Sequence, residues 1–475
     1  MSKFKGYELW SGALNRAKYI VAPMVDQSEL AWRMLSRKYG AELCYTPMLH
    51  AAVFRRDPNY RKDNLVVCPE DRPLIVQFCA NDPAILLEAA KMVAPYCDAV
   101  DLNLGCPQII AKKGHYGAFL QDEWDLISRM VGLLHRDLSV PVTCKIRVFE
   151  EVEKTVQYAK MLEKSGCQLL TVHGRTRDQR GMKMGLASWE HVRAVRESVS
   201  IPVFANGNIQ YHGDVERCLT ATGVDGVMAA EGNLFNPALF SGEQPPCWRV
   251  SEEYLQLVRT HPCPISFVRG HLFKIWFHVM KQPEFHCFRE RMGVARSLET
   301  MEEITGEMKA LLLARLSEEE LKSEFTLDAI PYWRCQPYIR PIPPLSEAQS
   351  IAHKRSRSIS GGEGEPDSAE LAAMITKRQK NKRDALKKEN KVGNPTTPNK
   401  KQWITCANCK GNPKGLKCVH NLCKVCCRIK CRTERLDCPG HRFTSKHQLT
   451  DAHEPNAKET ELGTEQLHTV SSVSS

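Results

Sequence analysis

No stretch of about 18 consecutive apolar residues occurs in the 475-residue chain, so nothing in it reads as a membrane-spanning helix. The opening segment MSKFKGYELWSGALNRAKYI also has no apolar core of the kind that directs secretion. A soluble protein of the cytoplasm, the nucleus or both is the expectation. No glycine-rich dinucleotide fingerprint is visible. The chain has 20 cysteines, but in a reducing compartment they are not expected to form a disulfide framework. Their placement matters more: eight crowd into residues 406–438, and the other twelve are scattered singly over the first 335. The formal net charge of +11 points to an acidic partner, with nucleic acid leading.

Short apolar, β-branched runs recur from residue 19 to about 232. They are YIVAPM (19–24), LCYTPM (43–48), PLIVQFC (73–79), AVDLNLGC (99–106), PVTCKIRV (141–148), LLTVHGR (169–175), IPVFANGNI (201–209) and GVMAAEG (226–232). Between them lie amphipathic segments such as EVEKTVQYAKMLEKSG, with apolar residues three and four apart. Eight strands alternating with helices predict an α/β fold, a (β/α)8 TIM barrel over residues 1–242. Residues 251–325, with HLFKIWFHVM and ARSLETMEEITGEMKALLLARL, predict a small all-α domain. A Pro- and charge-rich linker, mostly disordered, is expected over 326–402, a Cys/His-rich module over 403–447, and a disordered tail over 448–475. Within the linker, the basic run 377–391 reads equally as a nuclear import signal, an RNA contact or a solvated segment.

Barrel chemistry sits at the C-terminal ends of the strands. Here those ends carry Pro23 and Met24, Gln77, Asn103 and Cys106, Lys145 and Arg147, His173 and Arg175, Asn206 to Asn208, and Glu231 with Gly232. Asn, Gln and Lys suit the polar edge of a flavin ring, and Gly207 and Gly232 would let backbone approach a phosphate. Taken singly, a strand-end glycine is more often a turn requirement and a lone histidine a structural one. The ordered set is what carries weight.

APMV (22–25), VQF (76–78), LNLGCP (102–107), KIR (145–147), VHGRT (172–176) and NGNI (206–209) resemble, in order, the motifs of the dihydrouridine synthases, flavoenzymes that reduce uridine in tRNA. The resemblance covers roughly residues 15–325, and is strongest to the eukaryotic branch acting on D-loop uridines 16 and 17. It implies FMN as cofactor, NADPH or NADH as reductant, and Cys106 as the acid that protonates C5. A thiol with a pKa of about 8.5 is mostly protonated near neutral pH yet acidic enough to donate. The resemblance further implies flavin contacts from Pro23, Met24, Val25, Gln77, Lys145, His173, Asn206, Gly207 and Asn208, and uracil contacts from Asn103, Arg147 and Arg175. Many members carry a Gly-Arg pair after the eighth strand, whereas this chain reads MAAEGNLFNP. Phosphate binding there would fall to the backbone at Ala230 and Glu231 and to Gly207. In the helical domain Arg269, His271, Lys274, Arg289, Arg291 and Arg296 stand as contacts to tRNA or as a solvated basic face. A monomer is expected.

The module C406-x2-C409-x8-C418-x4-C423-x2-C426-C427-x3-C431-x6-C438-x2-H441-x5-H447 pairs cysteines at metal-ligand spacing in a segment too short to build its own core. Structural zinc is the expected staple, with ten candidate ligands: Cys406, Cys409, Cys418, Cys423, Cys426, Cys427, Cys431, Cys438, His441 and His447. Over residues 400–447, Lys and Arg outnumber Asp and Glu by twelve to two, so the module is an RNA clamp or a protein-binding element. Two other functions compete with tRNA reduction: a small-molecule dihydropyrimidine oxidoreductase, and an RNA-binding scaffold whose barrel has lost catalysis.

Overall fold

The computed structural model describes residues 3–181, 184–339, 406–408, 414–415, 417–434 and 436–441. The basic run, most of the linker, the tail, Cys409 and His447 lie outside them. The described residues fall into two compact units, one within 3–339 and one within 406–441. No described helix is long and apolar enough to cross a membrane.

The first unit is built on nine parallel strands: β1 (Tyr19–Val21), β2 (Leu43–Tyr45), β3 (Leu49–His50), β4 (Leu74–Cys79), β5 (Ala99–Leu104), β6 (Val142–Arg147), β7 (Leu170–His173), β8 (Val203–Asn206) and β9 (Gly226–Ala229). β1 pairs with both β2 and β9, and β2 pairs with β4, so eight strands close into the expected barrel. β3 is an addition that the sequence reading did not separate. Pro47 has no N–H for the ladder, so the run LCYTPM stops at Tyr45, and two residues rejoin the outer end of β4 through Leu49 opposite Phe78. LLTVHGR and GVMAAEG likewise leave the sheet early, at His173 and Ala229.

Side chains alternate along each strand. Val76, Phe78, Leu102, Leu104, Cys144, Ile146 and Val172 point outward and are fully buried beneath the surrounding helices. One of these is Pro83–Val93, which starts where its sequence dictates: Asp82 accepts from the Ile85 N–H, and Pro83 occupies the first turn. Inside the barrel, Ile20, Leu43, Ile75, Ala99 and Phe204 fill the end where the strands begin. Leu9, Leu14 and Ala17, from the N-terminal helical turn, seal that floor.

Helices Cys247–Thr260, Ile265–Ile275, His286–Val294 and Leu298–Leu313 share a second core with Ala31, Trp32 and Leu35 of a barrel helix. At that junction Glu29 accepts from Tyr254 Oη (2.7 Å) and from His271 Nε2 (3.0 Å), and Trp32 stacks on His271 with ring centroids 3.9 Å apart. His271 is fully buried, so it is not the RNA contact that a basic face would need. Arg291 is exposed but forked onto Glu307. The described residues continue past 326, where the linker was expected to start. Trp333 and Cys335 are buried in the helical core, and Pro246 bridges to Arg334.

Candidate active site

The strand register decides which polar residues meet at the mouth of the barrel. Gln77 sits opposite Asp101, Asn103 opposite Lys145, Arg147 opposite His173, and His173 opposite Asn206. All occupy inward positions.

Beneath the mouth runs a hydrogen-bond string with one direction. The Asp101 carboxylate, fully buried, accepts from Thr143 Oγ1 (2.6 Å) and from Gln77 Nε2 (2.8 Å). Gln77 Oε1 accepts from Asn103 Nδ2 (2.8 Å). Asn103 Oδ1 in turn accepts the N–H groups of Gly105 (3.2 Å) and Cys106 (2.9 Å). Asn103 therefore holds the loop that carries Cys106. From its other side, Arg147 donates through Nε to the Gly105 carbonyl (2.8 Å) and through Nη1 to those of Thr176 (2.7 Å) and Gln179 (3.2 Å). Expected at the uracil edge, Arg147 thus commits Nε and Nη1 to backbone and ties the Cys106 loop to the loop after β7. Gly117 packs under the cysteine with φ +67°, and a Cβ there would lie 2.8 Å from the Cys106 carbonyl oxygen.

Burial raises the Cys106 thiol above its ordinary pKa, outweighing the opposing pull of Arg147 and Lys145. The group keeps its proton at neutral pH, and the two cations stand where a thiolate would form. Burial, reinforced by Arg147, lowers Lys145 to about 8. Its ammonium donates to Asn206 Oδ1 (2.9 Å), whose own amide donates to the Met228 carbonyl (2.8 Å). Burial, with Lys145, Arg147 and Arg175 nearby, drives His173 well below its ordinary value, so the ring is neutral at pH 7.

A pocket of about 230 Å³ opens beside this ring, lined by His173, Arg175, Asn206, Gly207, Asn208, Ala230, Glu231 and Gly232 among others. Arg175 donates to His173 Nε2 (3.2 Å) and Asn208 Oδ1 (3.1 Å). The sequence reading put Arg175 with the uracil and left the phosphate region without a cation, whereas here the pocket's own wall includes that guanidinium. Gly207 has φ +114°, and a Cβ on it would meet Ala187 Cβ at 2.6 Å, so only glycine fits between them. Asn208 also has positive φ and bonds the backbone of Ala187 in both directions. Pro23, Met24 and Val25 follow β1. Val25 is exposed and lines a second pocket of about 150 Å³ with Cys79 and Tyr116, which share an apolar cluster with Cys106.

Asp101, Thr143 and Gly117 were missed from sequence. The signal for Asp101 was a charged residue at an inward position of a run otherwise filled by apolar residues and Asn103.

In the second unit, Cys406, Cys423 and Cys426 gather at one point, and Cys418, Cys427, Cys438 and His441 at another. None of the described cysteines forms a disulfide.

The dihydrouridine synthase (Dus) family profile matches residues 20–325. The mouse tRNA-dihydrouridine(16/17) synthase [NAD(P)(+)]-like protein is 53% identical over 453 residues, covering 94% of this chain and 92% of its own length. The budding-yeast tRNA-dihydrouridine(16/17) synthase [NAD(P)(+)] is 45% identical, covering 72% of this chain and 88% of its own. The human tRNA-dihydrouridine(20a/20b) synthase [NAD(P)+]-like protein is 36% identical over 57% of this chain.

Proposed function

Because this chain belongs to the dihydrouridine synthase family, we propose that it reduces the C5=C6 bond of uridine in the tRNA D-loop to 5,6-dihydrouridine, at position 16, position 17 or both. NADPH or NADH is the reductant and FMN the cofactor. An FMN phosphate in the pocket is supported by the backbone that lines it at Gly207 and Gly232 and by the Arg175 guanidinium in its wall. Lys145 and Asn206 offer donors toward the polar edge of the ring, whereas Gln77 is fully buried between Asp101 and Asn103. When bound, the flavin supplies a hydride to C6 of the base.

The chain's own residues do the rest. Cys106 delivers a proton to C5, and the observation that carries this role is its setting: a protonated thiol on a loop pinned by Asn103, Arg147 and Gly117, with Lys145 and Arg147 near enough to steady the thiolate left behind. Asn103, whose oxygen holds the Cys106 loop, has its second amide hydrogen left to orient the uracil edge. The target base lies within a folded tRNA and must leave its stack to reach the barrel mouth. In the second unit, structural zinc is the expected cofactor.

The test is dihydrouridine content, mapped by mass spectrometry, in unmodified tRNA incubated with the protein, FMN and NADPH. Dihydrouridine at 16 or 17 is expected, with turnover roughly 10²- to 10⁴-fold slower in Cys106→Ala. If both proteins bind tRNA, never take up flavin and make no dihydrouridine, the scaffold reading replaces this one.

A further inference from the structure

Resting on the zinc reading of the cysteine-rich unit, we propose that one tetrahedral Zn²⁺ is held by Cys418, Cys427, Cys438 and His441, a Cys3His site with no open coordination position. Each of these residues offers one ligand atom, and the four atoms lie within 4.8 Å of one another. Cys438 Sγ is 3.9 Å from Cys418 Sγ and 3.7 Å from His441 Nδ1. A tetrahedron with Zn–S bonds of about 2.3 Å has S–S edges of about 3.8 Å. The Cys438–Cys418 distance is that of an S–S edge and the Cys438–His441 distance is close to the slightly shorter S–N edge, and it is the convergence of four such atoms that marks a ligand shell.

Local structure converges on the same centre. Cys427 belongs to the first turn of the helix Lys424–Thr433, Cys418 lies in the loop before it, and Cys438 leads into the short turn Pro439–His441 after it. One ion therefore ties the helix to the chain on both sides. Two glycines make the close approach possible: a Cβ at Gly440 would lie 1.7 Å from the Lys417 carbonyl oxygen, and one at Gly415 would lie 2.3 Å from His441 Nε2. Among the described residues, the apolar material around these side chains is little more than Leu422 and Leu436. That is too little to order the segment without a metal.

His420 and Cys431 are the competing ligands, for they gather with Cys427 in a group of three, with Cys431 Sγ 3.8 Å from Cys427 Sγ. The assignment goes to Cys418, Cys427, Cys438 and His441 because, among the described residues, only that group brings four ligand atoms together, the number a closed tetrahedral site needs. Cys406, Cys423 and Cys426 gather separately, and the two groups alternate along the chain, so each centre closes across the other's loop.

The experiment is zinc per chain, by mass spectrometric metal analysis of the full-length protein, with flavin absorbance as the check that the barrel is folded. Relative to wild type, Cys418→Ser, Cys427→Ser, Cys438→Ser and His441→Ala each lose one equivalent, while Cys431→Ser and His420→Ala lose none. In the Co²⁺-loaded protein, His441→Cys keeps the metal and moves its d–d bands to longer wavelength. Loss of an equivalent from Cys431→Ser with retention in Cys427→Ser would overturn the ligand assignment while leaving zinc in place. A wild-type protein with neither zinc nor Co²⁺ uptake would overturn the zinc reading itself, whatever the dihydrouridine assay reports.

Discussion

A carboxylate only accepts hydrogen bonds and a backbone N–H only donates, so Gln77 and Asn103, strung between Asp101 and the amides of Gly105 and Cys106, have a single permitted orientation. Asp101→Asn leaves one acceptor where the carboxylate offers two, so its NH₂ must face either Thr143 or Gln77. If the string turns over, Asn103 presents its own NH₂ to two backbone donors. We expect kcat to fall roughly 10²-fold from the displaced Cys106 loop, with KM for tRNA little changed in steady-state assays. The same residue sets a pH dependence. Burial raises Asp101 from 3.8 to about 6, so the folded state holds the proton more tightly than the unfolded chain. Its contribution to stability is fully present below about pH 4 and is lost as pH rises to about 6, a change on the order of 3 kcal/mol. Urea midpoints of wild type and Asp101→Asn from pH 4 to 7 check this: the wild type should lose ground to the variant as pH rises, and parallel curves would refute it. Sequence placed Cys106, Asn103 and Lys145 at the barrel mouth because strand ends and inward parity are readable in one dimension. The direction of the amide string was not readable, because it depends on contacts between three neighbouring strands.

At the scale of elements, the loop after β5 is shaped by a glycine some ten residues further on. Gly117 needs positive φ and lies against the Cys106 backbone, so Gly117→Ala should cost about 1–3 kcal/mol in strain and overpacking. It should slow turnover while flavin uptake, read by absorbance, stays near stoichiometric. In HYGAFL that glycine reads as an ordinary turn, because its neighbour in space is distant in sequence. His271 is the opposite case. Val268, His271, Leu272 and Ile275 are all buried at helical spacing, so the periodicity of ISFVRGHLFKI already marked the histidine as inward, and its charge class obscured that. The strands' existence and order were legible for the same periodic reason. Their ends moved where Pro47 and the strand-end glycines interrupt the ladder.

For the whole molecule, charge is unevenly divided. Residues 377–447 hold 20 Lys and Arg against four Asp and Glu, a surplus larger than the chain's total of +11, so the rest of the chain is net acidic. Among the helices, Arg259, Lys309 and Arg315 are already paired with Glu302, Glu252 and Glu284. Affinity for tRNA should therefore fall roughly 10²-fold between 50 and 200 mM salt in the full chain. A chain ending at residue 339 should bind less tightly and with a flatter salt dependence; equal slopes by filter binding would place the phosphate contacts on the barrel and helices instead. The sealed floor of the barrel has a kinetic consequence. With Leu9, Leu14 and Ala17 closing the floor, both reactants are expected to reach the pocket from the opposite end, at the strand C-termini. If the two take turns there, double-reciprocal plots at several fixed tRNA concentrations should be parallel, and excess tRNA should inhibit competitively against the nucleotide, like a crowd blocking its own exit.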